Sequence, residues 1–197
     1  MAAARESLLD AAGAALARRP WSAVRMVEVA AAAGVSRQTL YNEFGGKDGL
    51  ARALVRRAAD GYLAGVERAL AGGGGDWERL TAVAEWTAAA AQQDALVRAL
   101  LTGCWSERLP APPRGPAPVP AQRRPEPPLP SPPELVRIVR DRAVAALSGP
   151  GTAPAATVGL ARSCELVVRL ALSCVTAPPG EGGIAGLIRT AAPRTAF

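Results

Sequence analysis

Six side chains between residues 36 and 42 can make directed hydrogen bonds: Ser36, Arg37, Gln38, Thr39, Tyr41 and Asn42. Only Leu40 interrupts them, and the single lysine of the chain, Lys47, follows shortly after. An arginine fork matches the O6 and N7 acceptors of guanine, and a glutamine or asparagine amide matches N6 and N7 of adenine. The chemistry this set suits is recognition of base edges, not bond making. Enzyme chemistry has little to work with elsewhere. The chain has no histidine, so neither a Ser-His-Asp nor a Cys-His system has its imidazole base, and no paired-carboxylate or phosphate-loop motif takes its place. Zinc sites usually draw on His or clustered Cys. Cys104, Cys164 and Cys174 are far apart, odd in number and set in helical patterns. They read as small buried apolar side chains of a cytoplasmic protein, with no disulfide framework, metal or cofactor implied.

Such a set must sit on a helix with its back to a core. Residues 26–44, MVEVAAAAGVSRQTLYNEF, read as two short helices, 26–33 and 37–44, joined at Ala-Gly-Val-Ser. Gly34 can take the left-handed conformation that stops the first, and Ser36 is a good N-cap for the second. A steep bend between two short helices is the mark of a helix-turn-helix. Val35, Leu40 and Phe44 are expected to point inward against Val29, Ala33 and Leu8 or Leu16, leaving Arg37, Gln38, Thr39, Tyr41 and Asn42 outside. A preceding helix over 3–18 carries Leu8, Leu9, Ala12, Ala15 and Leu16 on one face. It ends at Arg19-Pro20, because the residue before a proline is pushed out of the α region. Gly45-Gly46 then turns the chain into a long fourth helix, 47–70.

This N-terminal part resembles the TetR family of bacterial transcription repressors. The resemblance rests on AAAAGVSRQTLYNEFGGKDGL at residues 30–50, with Trp21, Glu28 and Val29 also where the family pattern has an aromatic and an acidic-aliphatic pair. It is specific over about residues 5–57 and only architectural beyond. It implies that Arg37 and Gln38, with Asn42, reach base edges, that Thr39 and Tyr41 bind phosphates, and that Lys47 adds a phosphate contact. The last role also makes physical sense, because a phosphate at a helix N-terminus meets both the lysine and the free amides. Where many members begin the second helix with Thr-Thr, this chain has Val24-Arg25. Val24 has no hydroxyl to cap with, while Arg25 can offer phosphate a charged contact instead. The expected DNA-binding set is Arg25, Ser36, Arg37, Gln38, Thr39, Tyr41, Asn42 and Lys47.

Composition agrees with an all-α fold. Alanine supplies 44 of 197 residues and aromatics only eight, so burial must come from close helix packing around small side chains, and alanine favours helices over strands. Net charge is +6, of which residues 1–60 hold nine Arg/Lys against six Asp/Glu; that alone points only weakly to nucleic acid. Further helices are expected over 77–91, then to 102 after a break at Gln92-Gln93-Asp94, and over 133–147, 155–175 and 184–190. The uncharged stretches are cut by Gly and Pro, so no membrane span is expected. Two domains follow: a three-helix DNA-binding domain, 1–46, and a helical ligand-binding and dimerisation domain, 47–197. Between residues 110 and 133, twelve of 24 residues are proline, which predicts an extended or disordered excursion.

A small reading head binds usefully only in pairs, on two half-sites one helical turn apart. Leu160, Cys164, Val167, Ala171 and Cys174 follow a 4-3-4-3 spacing suited to helix packing, with Val139 and Ala143 in a similar stripe on the preceding helix. The resemblance implies that these helices join two subunits. It also implies an inducer pocket among the middle helices, for which Tyr62, Trp86, Cys104 and Trp105 are candidates, with Gln92 or Gln93 as polar contacts. Few charges lie on those faces, favouring a small, moderately apolar inducer. The expected function is a homodimeric repressor on a palindromic operator of double-stranded DNA, released by that inducer. The alternative is a helical interaction protein that recruits a partner through its proline-rich segment.

Overall fold

The computed structural model describes residues 2–111, 128–149 and 153–191. Among the described residues are nine α-helices, one 3₁₀ turn and no strand. The order is α1 (Ala2–Arg18), the 3₁₀ turn (Trp21–Ala23), α2 (Met26–Ala32), α3 (Arg37–Phe44), α4 (Lys47–Leu70), α5 (Asp76–Gln93), α6 (Ala95–Thr102), α7 (Pro132–Leu147), α8 (Pro154–Thr176) and α9 (Gly183–Ala191). The ends lie where local chemistry puts them. Gly34, at φ 68°, follows α2, and the Ser36 hydroxyl accepts the Thr39 N–H at the start of α3. Asp94 receives the Leu96 N–H and caps α6. The expected excursion over 110–133 falls largely outside the described residues, since 112–127 are not among them. Its far end enters α7 sooner than expected: Pro132 and Pro133 occupy the first turn, where no N–H is needed. Glu134 accepts from both the Ser131 N–H and hydroxyl.

The chain packs as two compact units, residues 2–58 with the described part of 104–129, and residues 59–103 with the described part of 130–197. The expected boundary was 46/47; the packing boundary lies inside α4. The reason is visible in its first turns. Leu50, Leu54 and Val55 are buried, and Arg57 reaches α1, donating to the Asp10 carboxylate at 2.6 Å and to the Leu9 carbonyl at 2.9 Å. Residues just beyond α6 join the same unit, where the Trp21 N–H donates to the Arg108 carbonyl at 2.8 Å.

In the second unit α8 packs against both α5 and α7. This bears on the residues expected at the dimer interface. Val139, Ala143, Leu160, Cys164, Val167, Ala171 and Cys174 are all buried inside the single chain, Cys164 completely. Their stripe is spent on the protein's own core, and burial pushes the Cys164 thiol up to about 11. A helix stripe has the same period whether it faces its own subunit or another. The outward side of α8 instead carries Val158 and Leu166, 51% and 41% exposed, with Arg162 between them.

Close packing of the kind expected of an alanine-rich core is seen where α4 meets Trp86 of α5. The Trp86 indole lies against the backbone at Gly65, where a Cβ would sit 2.0 Å from the ring, and its N–H donates to the Tyr62 carbonyl at 3.0 Å. Gly65→Ala should therefore cost about 2–3 kcal/mol through overpacking, despite the better helix propensity of alanine. Thermal melts should show a fall of roughly 4–12 °C. Gly61, on the same helix, has nothing within 4 Å of its would-be Cβ, so Gly61→Ala should raise stability by up to about 1 kcal/mol. Equal shifts for the two variants would refute the packing account. Native-state alkylation followed by mass spectrometry should modify exposed Cys104 and spare Cys164 and Cys174.

Candidate nucleic-acid interface

Helix α3 is only eight residues long, too short to persist alone in water. What holds it is its inner side. Leu40 is fully buried and Phe44 nearly so, each contributing roughly 1.5–3 kcal/mol, and α2 packs against both α1 and α3. Val29 and Leu8 are buried as expected, while Val35, Ala33 and Leu16 are only partly covered. Ser36 caps the first turn, and its hydroxyl also meets the Thr39 hydroxyl at 2.9 Å. At the other end the Gly45 N–H bonds to the Tyr41 carbonyl at 2.8 Å.

The outer side of α3 is the one anticipated. Arg37, Gln38 and Asn42 are exposed, Tyr41 is 48% exposed, and Thr39 is partly covered by its bond to Ser36. Gln38 and Asn42 are not separate: the Gln38 amide N–H donates to the Asn42 carbonyl oxygen at 2.7 Å. Ser36 and Thr39 thus use their hydroxyls first on the helix start, and the side chains that project beyond it are Arg37, Gln38, Tyr41 and Asn42.

Neighbouring elements fix how this side is presented. Arg5 of α1 pairs with Glu43 at 2.9 Å and lies over the Phe44 ring, 5.0 Å from its centre. Two residues of α3 are thereby tied to α1. Lys47 donates to the Ser22 carbonyl at 3.1 Å and stands 5.5 Å above the Trp21 ring, so its ammonium is held beside the 3₁₀ turn. An ammonium has three donors, and this bond uses one. Arg25 is exposed at the start of α2 and makes no side-chain cap there. Val24 is buried, which explains the missing hydroxyl: the position serves the core. Arg19 pairs with Glu28 across the turn between α1 and α2. Arg5, Glu43 and Arg57 did not emerge from sequence reasoning. Glu43 lies 38 residues from Arg5 and Arg57 lies 47 from Asp10, so no local spacing signals either pair.

The four ligand candidates divide. Tyr62 and Trp86 do come together, but as packed core. The buried Tyr62 hydroxyl bonds to the Thr87 hydroxyl at 3.0 Å, and burial pushes the phenol up to about 12. Thr87 in turn donates to the Val83 carbonyl at 2.8 Å. Cys104 and Trp105 follow α6 and belong to the other compact unit. Gln92 and Gln93 are exposed at the end of α5. Among the described residues no helix is long and apolar enough to cross a membrane.

Residues 8–54 match the family model described as bacterial regulatory proteins, tetR family. Over 100 residues the chain is 43% identical to the HTH-type transcriptional regulator AlkX of Mycobacterium tuberculosis, a stretch covering 50% of this chain and 47% of that one. The match therefore spans about half the length of the curated relative. Among solved structures, the fold is similar to that of the TetR family repressor AlkX from a Dietzia species, implicated in biodegradation of n-alkanes. That likeness has a TM-score of 0.52 and 22% identity over 94% of this chain and 91% of that one. A tetR-family transcriptional regulator from Streptomyces coelicolor is similar with a TM-score of 0.55 and 22% identity, over 96% of this chain and 77% of that one. By its helix-turn-helix and the sequence around it, the N-terminal part of the chain, residues 8–54, is similar to the TetR family of bacterial regulatory proteins.

Proposed function

We propose that this protein is a ligand-responsive transcriptional repressor that binds a palindromic operator as a homodimer. The observation that carries the reading is the outward side of α3, where Arg37, Gln38, Tyr41 and Asn42 project from a helix anchored by Leu40 and Phe44. Arg37 and Gln38 supply base-edge contacts, and Tyr41 and Lys47 supply phosphate contacts, with exposed Arg25 at the start of α2 as a further charged contact. Phosphate contacts set register and affinity, and base contacts set sequence.

Pairing requires a surface that the single chain leaves uncovered. Val158 and Leu166 on α8 are that surface, separated by Arg162 at helical spacing. A second copy of the chain meeting this side would bury both. Inducer binding in the second unit would favour a spacing of the two reading heads that no longer matches two half-sites, which lowers operator affinity by linkage. The inducer is a small, moderately apolar molecule, in keeping with the few charges on the inner faces of α4, α5 and α8. The n-alkane connection of the Dietzia repressor supports an aliphatic one.

Binding to DNA from its own upstream region should be salt-sensitive. An Arg37→Ala, Tyr41→Ala double variant should weaken it by at least about 30-fold in fluorescence anisotropy at constant salt; unchanged affinity would sink the assignment of the site. Leu166→Glu should convert the dimer to a monomer in sedimentation and weaken operator binding in parallel, while leaving the helical circular-dichroism signal intact. A dimer that survives this change places the subunit contact elsewhere.

A further inference from the structure

The bond between Gln38 and Asn42 determines what Gln38 can read. A glutamine amide has two N–H donors and one carbonyl acceptor. In this structure one donor is taken by the Asn42 carbonyl oxygen at 2.7 Å, four residues on and so on the same side of α3. One N–H and the carbonyl oxygen remain. Adenine presents one acceptor, N7, and one donor, the N6 amino group, side by side in the major groove. Guanine presents two acceptors, N7 and O6, and needs two donors. A Gln38 with one donor committed to Asn42 fits the first pattern and sets oxygen against oxygen in the second.

The terminal torsion of a glutamine is broad, so a lone Gln38 would turn its amide to suit several bases. Asn42 removes that freedom before DNA arrives, and the ordering cost of the contact falls with it. The two residues lie on the exposed side of α3 and neither contributes to the buried core, so their roles can be separated from folding.

We propose that Gln38 and Asn42 act as one reading unit, in which Asn42 is a positioning residue that commits Gln38 to an adenine in each half-site. This rests on the DNA-binding reading above. The test is selection of binding sites from a random-sequence duplex library by the purified full-length protein and by Gln38→Ala, Asn42→Ala and Asn42→Asp. Competition with duplexes changed at single base pairs then follows at several salt concentrations.

The wild type should enrich one A·T pair per half-site, preferred over G·C by about tenfold or more. Gln38→Ala should erase that preference, and Asn42→Ala should reduce it severalfold at the same base pair with the salt dependence unchanged. Asn42→Asp keeps an acceptor oxygen and should retain it. The proposal is overturned if Asn42→Ala leaves preference at that pair intact, if it alters a different pair from Gln38→Ala, or if that position selects guanine. Guanine is the base expected when the amide is turned over to offer two donors. Failure of the wild type to enrich any sequence overturns the DNA-binding reading and this one with it; enrichment with the wrong response to Asn42→Ala overturns this one alone.

Discussion

The burial of Leu40 and Phe44 is the constraint on which the interface depends. An eight-residue helix has too few internal hydrogen bonds to offset the cost of its own nucleation. Its position is borrowed from the helices it packs on. Two side chains on the inner side of α3 settle which residues face outward, because at 3.6 residues per turn the remaining directions follow. The Ser36 cap fixes where the helix begins, and Arg5 fixes how its far end lies, by a charge on Glu43 and a guanidinium over the Phe44 ring. None of these groups touches a base in the proposed complex. They convert a string of polar residues into an ordered display.

Small residues carry the rest of the fold. With so few aromatics, the core gains contact by bringing backbones close, and Gly65 under the Trp86 indole is the clearest case. The same cluster satisfies its polar atoms internally. The Tyr62 hydroxyl, the Thr87 hydroxyl and the Trp86 N–H each find a partner on α4 or α5. A buried polar group left unpaired would cost more than its bond contributes, so this arrangement tolerates little rearrangement. Tyr62 and Trp86, two of the residues expected to line a ligand pocket, are hydrogen-bonded within this cluster.

How much was legible in the sequence depended on the range of the interaction. Helix ends were legible because their causes are local: Pro20 after Arg19, Gly34 after α2, the Ser36 hydroxyl on the Thr39 N–H. The outward set on α3 was legible because a turn followed by an apolar–polar pattern orients a helix without knowledge of its neighbours. The start of α7 was missed by one residue, since prolines that break a helix interior are compatible with its first turn. The extent of the first unit was missed for a different reason. Residues near 104–111 join it through a backbone bond between Trp21 and Arg108, and backbone groups leave no mark in side-chain type.

Sequence by itself determined the helical class, the helix-turn-helix and the side chains that α3 turns outward, because propensity, capping and period act within a few residues. Tertiary structure decided what those elements face. Leu160, Cys164, Val167, Ala171 and Cys174 have the period of a helix-packing seam, and only the folded chain shows them buried where α8 packs on α5 and α7. It also joined Arg5 to Glu43 and Arg57 to Asp10, and brought Trp86 onto Gly65. In each case the partners lie more than twenty residues apart, where spacing along the chain carries no information about distance in space.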